Sequence, residues 1–328
     1  MYETFFGLRE RPFDLTPNPR FLLLTGKHRE ALSNLQYGLS SRRGLTLLIG
    51  EAGTGKTTLI RTAIQEFERQ GARIAYLNNP TLSRSEFCEF LSEAFNLNHG
   101  AAGSKTKLLG ELSKTLAEMR AADQQTGLII DESQALPDEL LEEVRLLANI
   151  ETASDKLLPI VLGGQPELAE RLNQTSLRQL KQRVALRCEL GALDARETAE
   201  YIAGRIRIAG GNSALVFTRQ AVDAVYERST GIPRLISVIC DNALISAFAA
   251  DRRPVSRDIV EEVCRDFDLA QKPETKPQPP EVRRQEQPAT QAASASSSGA
   301  SQEPQRPAPH RSRSLFEHFS VRRRFSVF

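Results

Sequence analysis

Residues 50–57 read Gly-Glu-Ala-Gly-Thr-Gly-Lys-Thr, and this stretch decides the fold. It fits the phosphate-binding loop GxxxxGK[ST] at every fixed position. The loop follows an apolar run of strand length, residues 45–49, and precedes a helix-length segment that starts at Lys56. In this order the backbone N–H groups of the loop and the N-terminus of the helix face one point, which favours bound phosphate.

The loop residues have separate predicted roles. We predict that Lys56 reaches the β and γ phosphates of a nucleotide and that the Thr57 hydroxyl binds Mg²⁺. The alternative is a glycine-rich turn with an exposed lysine. The residues predicted to contact the nucleotide are Gly50, Glu51, Ala52, Gly53, Thr54, Gly55, Lys56, Thr57 and Thr58.

Two carboxylates follow a second apolar run, since residues 128–132 read Leu-Ile-Ile-Asp-Glu. Ligands of open α/β sheets collect at the carboxyl ends of the strands. Asp131 is therefore the predicted acid on the Mg²⁺ side of the site. Glu132 is predicted to orient and deprotonate the attacking water.

Strand-length and helix-length segments alternate up to residue 190, which is typical of a parallel sheet flanked by helices. The predicted strands are residues 45–49, 73–77, 127–130, 157–162 and 184–190. The predicted helices between them are residues 56–69, 84–95, 107–120, 138–149 and 167–172. Beyond Asp194 only helices are predicted, at residues 194–209, 218–229, 233–249 and 256–266.

These patterns predict four regions. An α/β nucleotide-binding domain spans residues 1–190, with an N-terminal clamp and helix over residues 1–43, and a small all-helical domain spans residues 191–268. Residues 269–313 are rich in Pro, Gln and Ser and are predicted to form a disordered linker, because they cannot bury enough apolar surface to fold. Residues 314–328 form a basic and aromatic C-terminal peptide.

Charge is distributed unevenly along the 328 residues. The total is close to neutral, with 43 basic and 41 acidic side chains, but residues 1–270 carry a net charge of −3 and residues 271–328 carry +5. We expect no signal peptide and no transmembrane helix, because no apolar stretch approaches 18 residues. The four cysteines show no metal-ligand spacing, which is typical of reduced thiols in a cytoplasmic protein.

The order of loop, Asp-Glu strand and helical domain resembles the AAA+ ATPases, in which the helical domain is called the lid. The details resemble the ExeA/GspA type of the general secretion pathway, and ATPases of exosortase and exopolysaccharide loci look similar. The motifs that carry the resemblance lie at residues 1–2, 6–8, 11–13, 17–20, 28–32, 131–134, 164–168, 177–183 and 231–234. The resemblance implies a P-loop NTPase fold, ATP and Mg²⁺ as cofactors, and ATP hydrolysis.

The resemblance also implies roles for three further residues. Gln165 takes the sensor-1 position, although the family more often has Asn or Thr there, and an ordinary turn residue is the alternative. Arg234 matches the lid arginine of sensor 2, with a solvated residue at a helix start as its alternative. Arg183 matches the arginine finger that acts on a neighbouring subunit, which implies a homo-oligomer; Arg178 and Lys181 are competing candidates.

Two other residues have open roles. Asn78 follows the second predicted strand and either holds Glu132 away from water or caps the strand end. His28 is a candidate contact of the nucleotide base, in a Phe-rich N-terminal segment that otherwise indicates core packing.

The resemblance implies an ATPase that couples nucleotide state to assembly or secretion at the cell envelope, with envelope or secretion proteins as partners. The alternative is a DNA-associated regulator resembling transposition ATPase subunits, which the net charge of residues 1–270 disfavours. The C-terminal peptide is a candidate for peripheral membrane contact, for docking a partner protein, or for neither. The expected location is the cytoplasm, including the inner face of the inner membrane.

Overall fold

The computed structural model describes residues 1–16, 19–21, 23–41, 44–98, 100–152 and 155–267. The predicted linker and C-terminal peptide lie outside these ranges. The strands are β1 (Leu45–Gly50), β2 (Arg73–Leu77), β3 (Thr126–Ile130), β4 (Ile160–Gly164) and β5 (Val184–Leu190). The helices before residue 190 are α1 (Tyr2–Phe6), α2 (Gly26–Ser40), α3 (Lys56–Arg69), α4 (Arg84–Ala94), α5 (Lys105–Ala121), α6 (Asp138–Leu147), α7 (Pro166–Arg171) and α8 (Arg178–Lys181).

The five strands form one parallel sheet in the order β2-β3-β4-β1-β5, which confirms the predicted fold class. Because every strand runs in the same direction, the segments that follow β1, β3 and β4 emerge at the same edge of the sheet. The phosphate-binding loop follows β1, the Asp-Glu pair follows β3, and Gln165 follows β4. The topology therefore brings three of the predicted site segments together.

Helices cover both faces of the sheet. On one face α4, α5 and α6 pack their apolar stripes against β1 to β4, and Phe87, Leu112 and Leu141 are buried there. On the other face α2 and α3 pack against residues such as Leu48 and Ile129. Since the sheet is buried on both faces, its central strands are continuous apolar runs, which is why the sequence revealed them.

The fourth strand begins later than predicted, at Ile160 instead of residue 157. Leu157 and Leu158 are buried and apolar, but Pro159 follows them and has no N–H to donate to a strand ladder. The apolar pattern thus continues across residues that lie outside the paired strand.

Between β5 and residue 267 the described chain is helical, as predicted. Its helices are α9 (Ala195–Ile208), α10 (Ser213–Val216), α11 (Arg219–Ser229), α12 (Pro233–Ala249) and α13 (Arg257–Asp266). The core of this helical domain also includes Tyr2, Phe6, Phe13 and Phe21 from the chain's beginning. The N-terminal segment therefore packs against the helical domain, a contact that the sequence did not reveal. In the described part of the chain, no helix combines the length and apolarity that crossing a bilayer requires.

Candidate functional site

The phosphate-binding loop has the backbone that its glycines predict. Gly53 and Gly55 have φ of +83° and +101°, in a region that side chains disfavour. The Lys56 side chain is buried, and its Nζ donates to the carbonyl oxygens of Gly50 at 2.8 Å and Glu51 at 3.1 Å. Burial lowers the pKa of Lys56, and the nearby Glu132 opposes that shift. The Lys56 ammonium can exchange its hydrogen bonds to these carbonyl oxygens for hydrogen bonds to a phosphate.

Thr57 and Asp131 meet across the loop. The Thr57 hydroxyl donates to Oδ2 of Asp131 at 2.6 Å, and the Asp131 carboxylate is 1% exposed. Burial raises the pKa of Asp131, while the Thr57 hydrogen bond lowers it. A hydroxyl and a carboxylate converging on one point are oxygen ligands of the kind that Mg²⁺ prefers, so the pair fits the predicted metal role.

Glu132 lies beside this pair with a left-handed backbone, φ 50°. Its Oε2 accepts hydrogen bonds from Nε2 of Gln134 at 2.6 Å and Nε2 of Gln165 at 3.4 Å. Gln165 is thus placed next to the predicted base. Asn78 is exposed, and within the described residues no hydrogen bond joins it to Glu132, so Gln134 occupies the position that one prediction gave to Asn78.

A cavity of about 410 Å³ opens over the loop. The end beside the loop is lined by residues 53–58, Glu132 and Arg234. The far end is lined by side chains of the N-terminal segment and the helical domain, which include Phe21, His28 and Tyr201. Nε2 of His28 is 3.1 Å from the carbonyl oxygen of Thr54, so this candidate base contact also ties α2 to the loop. Of the predicted nucleotide contacts, Gly50, Glu51 and Ala52 stand outside the lining of the cavity.

The helical domain touches the loop through Arg234. Its backbone N–H donates to the carbonyl oxygen of Gly53 at 3.2 Å. A Cβ added at Gly53 would lie 2.7 Å from Cβ of Arg234, so only glycine permits this approach. The Arg234 side chain is exposed and lines the cavity, where it can reach a bound phosphate.

Arg183 lies at the amino ends of the strands, opposite the edge of the sheet where the predicted site segments emerge. It directly precedes β5, and its carbonyl oxygen accepts from the N–H of Leu45 at the amino end of β1. A strand of seven residues spans about 20 Å, so Arg183 cannot reach the cavity of its own chain. The predicted role of Arg183 therefore requires a second subunit.

Comparison with known proteins agrees with this geometry. A family model described as an AAA domain matches residues 39–172, from the end of α2 to just beyond α7. General secretion pathway protein A of Aeromonas hydrophila is 41% identical over 249 residues, which cover 76% of this chain. The chain belongs to the AAA+ ATPases of the ExeA/GspA type. It spans less than half, 45%, of the length of that relative.

Solved structures share the AAA+ fold. The ORC2 protein of Aeropyrum pernix superposes with a TM-score of 0.59 at 18% identity, covering 80% of this chain and 73% of that one. Cdc6p of Pyrobaculum aerophilum also gives 0.59, at 16% identity over 78% of this chain and 70% of that one. At such low identity the likeness concerns the fold alone.

The AAA+ site contains a buried cation that sequence reasoning missed. Arg205 of α9 is 8% exposed and lines the far end of the cavity. Its guanidinium donates to the carbonyl oxygens of Pro12 at 2.5 Å and Asp14 at 3.2 Å, and to the hydroxyl of Tyr201 at 2.6 Å. It also lies 5.0 Å from the centre of the Phe21 ring. Arg205 thus fastens the N-terminal segment to the lid.

We expect Arg205→Met to lower the free energy of unfolding by about 3 kcal/mol, because one buried and two partly buried acceptors lose a charged donor. Urea denaturation followed by circular dichroism measures the change. The matched control is Arg196→Met on the same helix, where the side chain is 87% exposed and pairs with Glu200. That control should change stability by less than about 0.5 kcal/mol. Equal effects of the two substitutions would show that the Arg205 contacts do not contribute to the free energy of unfolding.

Proposed function

We propose that this chain binds and hydrolyses Mg²⁺-ATP in the cavity over residues 53–58 and couples its nucleotide state to assembly or secretion at the cell envelope. One observation carries the hydrolytic part of the proposal. The Thr57 and Asp131 oxygens meet 2.6 Å apart beside a Glu132 carboxylate that faces the same cavity. A binding site alone would not require a second carboxylate at that position.

The roles of the site residues follow from their placement. Lys56 binds the β and γ phosphates, and Thr57 and Asp131 hold Mg²⁺, which neutralises charge on the phosphate oxygens when bound. Glu132 accepts a proton from the attacking water, and the Gln165 amide helps to orient that carboxylate. Arg234 closes the lid onto the phosphates from its place beside Gly53.

We further propose that Arg183 acts as an arginine finger in the site of a neighbouring subunit of a homo-oligomer. Its position at the far edge of the sheet supports action between subunits. Arg183→Ala should lower the ATPase rate by about 10³-fold, because the finger stabilises charge on the transferred phosphoryl group. Mixing this variant with Glu132→Gln should restore activity, since about a quarter of the head-to-tail interfaces then combine an intact Glu132 with an intact Arg183.

The measurement is phosphate release from the two variants, separately and in a 1:1 mixture. Arg178→Ala is the control, since this neighbouring arginine is exposed and precedes β5 by six residues. It should retain the wild-type rate. Absence of rescue in the mixture would contradict action between subunits.

The envelope part of the proposal is supported by the relative that carries the name General secretion pathway protein A. Its partners would be secretion or envelope proteins, and its place the cytoplasmic side of the inner membrane. The basic and aromatic peptide at residues 314–328 is proposed as the peripheral membrane contact. The DNA-associated alternative stays a prediction, because the likeness to the ORC2 and Cdc6p structures concerns the fold alone.

One assay with three arms tests the proposed function. Phosphate release from ATP by the full chain is measured with Mg²⁺, with EDTA, and with Mg²⁺ plus duplex DNA. We expect release with Mg²⁺, loss of release in EDTA, and no effect of DNA. Release that persists in EDTA would contradict the metal role, and strong stimulation by DNA would favour the alternative function.

A further inference from the structure

Two amide groups hold one oxygen of the Glu132 carboxylate. Gln134 and Gln165 both direct Nε2 toward Oε2, at 2.6 and 3.4 Å. Glu132 lines the nucleotide cavity, whereas Gln134 and Gln165 are not among the residues that line it. Among the described residues Oε1 has no hydrogen-bond donor. This arrangement leaves Oε1 to accept a proton on the cavity side.

The orientation of the Gln134 amide follows from its second contact. Its Oε1 lies 3.1 Å from the backbone nitrogen of Gln165. A backbone N–H can only donate, so the amide atom that faces it is the oxygen. The Nε2 of Gln134 must then face Glu132 and donate to it. The 2.6 Å contact is therefore a hydrogen bond in which the Gln134 amide donates and the Glu132 carboxylate accepts.

The segment that carries Gln134 is itself fastened. Nη1 of Arg171, on α7, donates to the carbonyl oxygens of Gln134 at 2.7 Å and Leu136 at 2.8 Å. The Ser133 hydroxyl donates to the carbonyl oxygen of Ile130 at 2.8 Å. A non-glycine residue keeps a left-handed backbone, as Glu132 does, only where its surroundings stabilise it. These bonds therefore set both the backbone and the amide that fix the carboxylate.

We infer that Gln134 is a positioning residue for ATP hydrolysis: its side-chain amide holds Oε2 of Glu132 so that Oε1 faces the attacking water. The inference rests on the proposed function and adds a residue that had no predicted role. Gln134 stands outside the cavity, so it acts on hydrolysis through Glu132 and not on nucleotide binding.

The first test is Gln134→Glu, which keeps the length of the side chain and an oxygen for the Gln165 N–H. It replaces the donor that faces Glu132 with a second carboxylate oxygen. We expect kcat for ATP to fall about 100-fold, because misplacing a reacting group by about 1 Å has an effect of that size. The dissociation constant of Mg²⁺-ATP should change less than about threefold, as for a group that acts only in the transition state.

The matched control is Gln124→Glu. Gln124 also donates its amide to a carbonyl oxygen, that of Gly71 at 3.1 Å, but it precedes β3 at the opposite edge of the sheet. This variant introduces the same charge and should keep the wild-type kcat. A similar loss in both variants would mean that the loss does not depend on contact with Glu132.

A second variant, Gln134→Leu, removes the donor without adding charge. Single-turnover phosphate release is compared for Gln134→Leu, Glu132→Gln and the double variant. If Gln134 acts through Glu132, its substitution has no further effect once Glu132 is replaced. The inference would be overturned in favour of a purely structural role by either of two results. Gln134→Leu could lower the rate of phosphate release by the same factor in the wild type and in Glu132→Gln, or it could weaken ATP binding and leave kcat unchanged.

The same experiment separates this inference from the proposed function. A wild-type chain that binds but does not hydrolyse ATP would contradict both. If the wild type is active, Glu132→Gln is inactive and the Gln134 variants keep the wild-type kcat, only the role of Gln134 is overturned.

Discussion

Glu132→Gln is expected to bind Mg²⁺-ATP with an unchanged dissociation constant and to hydrolyse it at least about 100-fold more slowly than the wild type. The loss is that of a general base, which contributes 10²–10⁴-fold in typical enzymes. Binding should persist because Gln has the size of Glu and the phosphate contacts come from residues 53–58 and not from position 132. Phosphate release and fluorescent-nucleotide titration measure the two quantities.

The control for this variant is Glu118→Gln on α5. Glu118 is exposed and is not among the residues that line the cavity. It should keep the wild-type rate. Unchanged hydrolysis by Glu132→Gln would remove Glu132 as the base and leave the position of its carboxylate without a catalytic role.

Lys56→Ala is expected to weaken the binding of Mg²⁺-ATP by about 100-fold or more. Truncating one partner of a buried pair of charged groups costs about 2–5 kcal/mol, and 100-fold corresponds to about 2.7 kcal/mol. Residues 50–57 contain no basic side chain besides Lys56, whose ammonium is buried on the loop carbonyls, so no other cation of the loop can replace it. Equilibrium titration with a fluorescent ATP analogue measures the loss.

Lys114→Ala provides the control for the loss of a lysine, because Lys114 is exposed on α5 and stands outside the cavity lining. Circular dichroism of both variants verifies folding. A Lys56→Ala protein that is folded and binds ATP as the wild type does would contradict the assignment of the loop.

The parts of the site that were predictable depend on local sequence. The loop needs glycine where φ is positive, as at Gly53 and Gly55, and the strand before Asp131 is an uninterrupted apolar run. Both features can be recognised in a stretch of about ten consecutive residues. Parallel strands then bring the two segments to one edge, so that the contact between Thr57 and Asp131 follows from the fold class.

The parts that were not predictable depend on contacts between distant residues. Arg205 stands in an amphipathic helix, where an arginine usually indicates a solvated face. It is buried because the carbonyls of Pro12 and Asp14, more than 190 residues earlier in the chain, supply acceptors. Nothing near position 205 encodes that contact.

Gln134 shows the same limit at short range. It is two residues from Glu132 in the sequence, yet its role depends on the Gln165 N–H at the end of a different strand. The sequence analysis named the strand-end residue Asn78 instead, because sequence alone does not say which amide faces the carboxylate.

The central claim is that one cavity, built by residues 53–58 and Glu132, both binds and cleaves ATP. Its most direct test is a single-turnover measurement of phosphate release from labelled Mg²⁺-ATP, with bound nucleotide counted in the same samples. The account predicts binding and release by the wild type, binding without release by Glu132→Gln, and neither by Lys56→Ala. Release by the Lys56→Ala protein at the wild-type rate would contradict it.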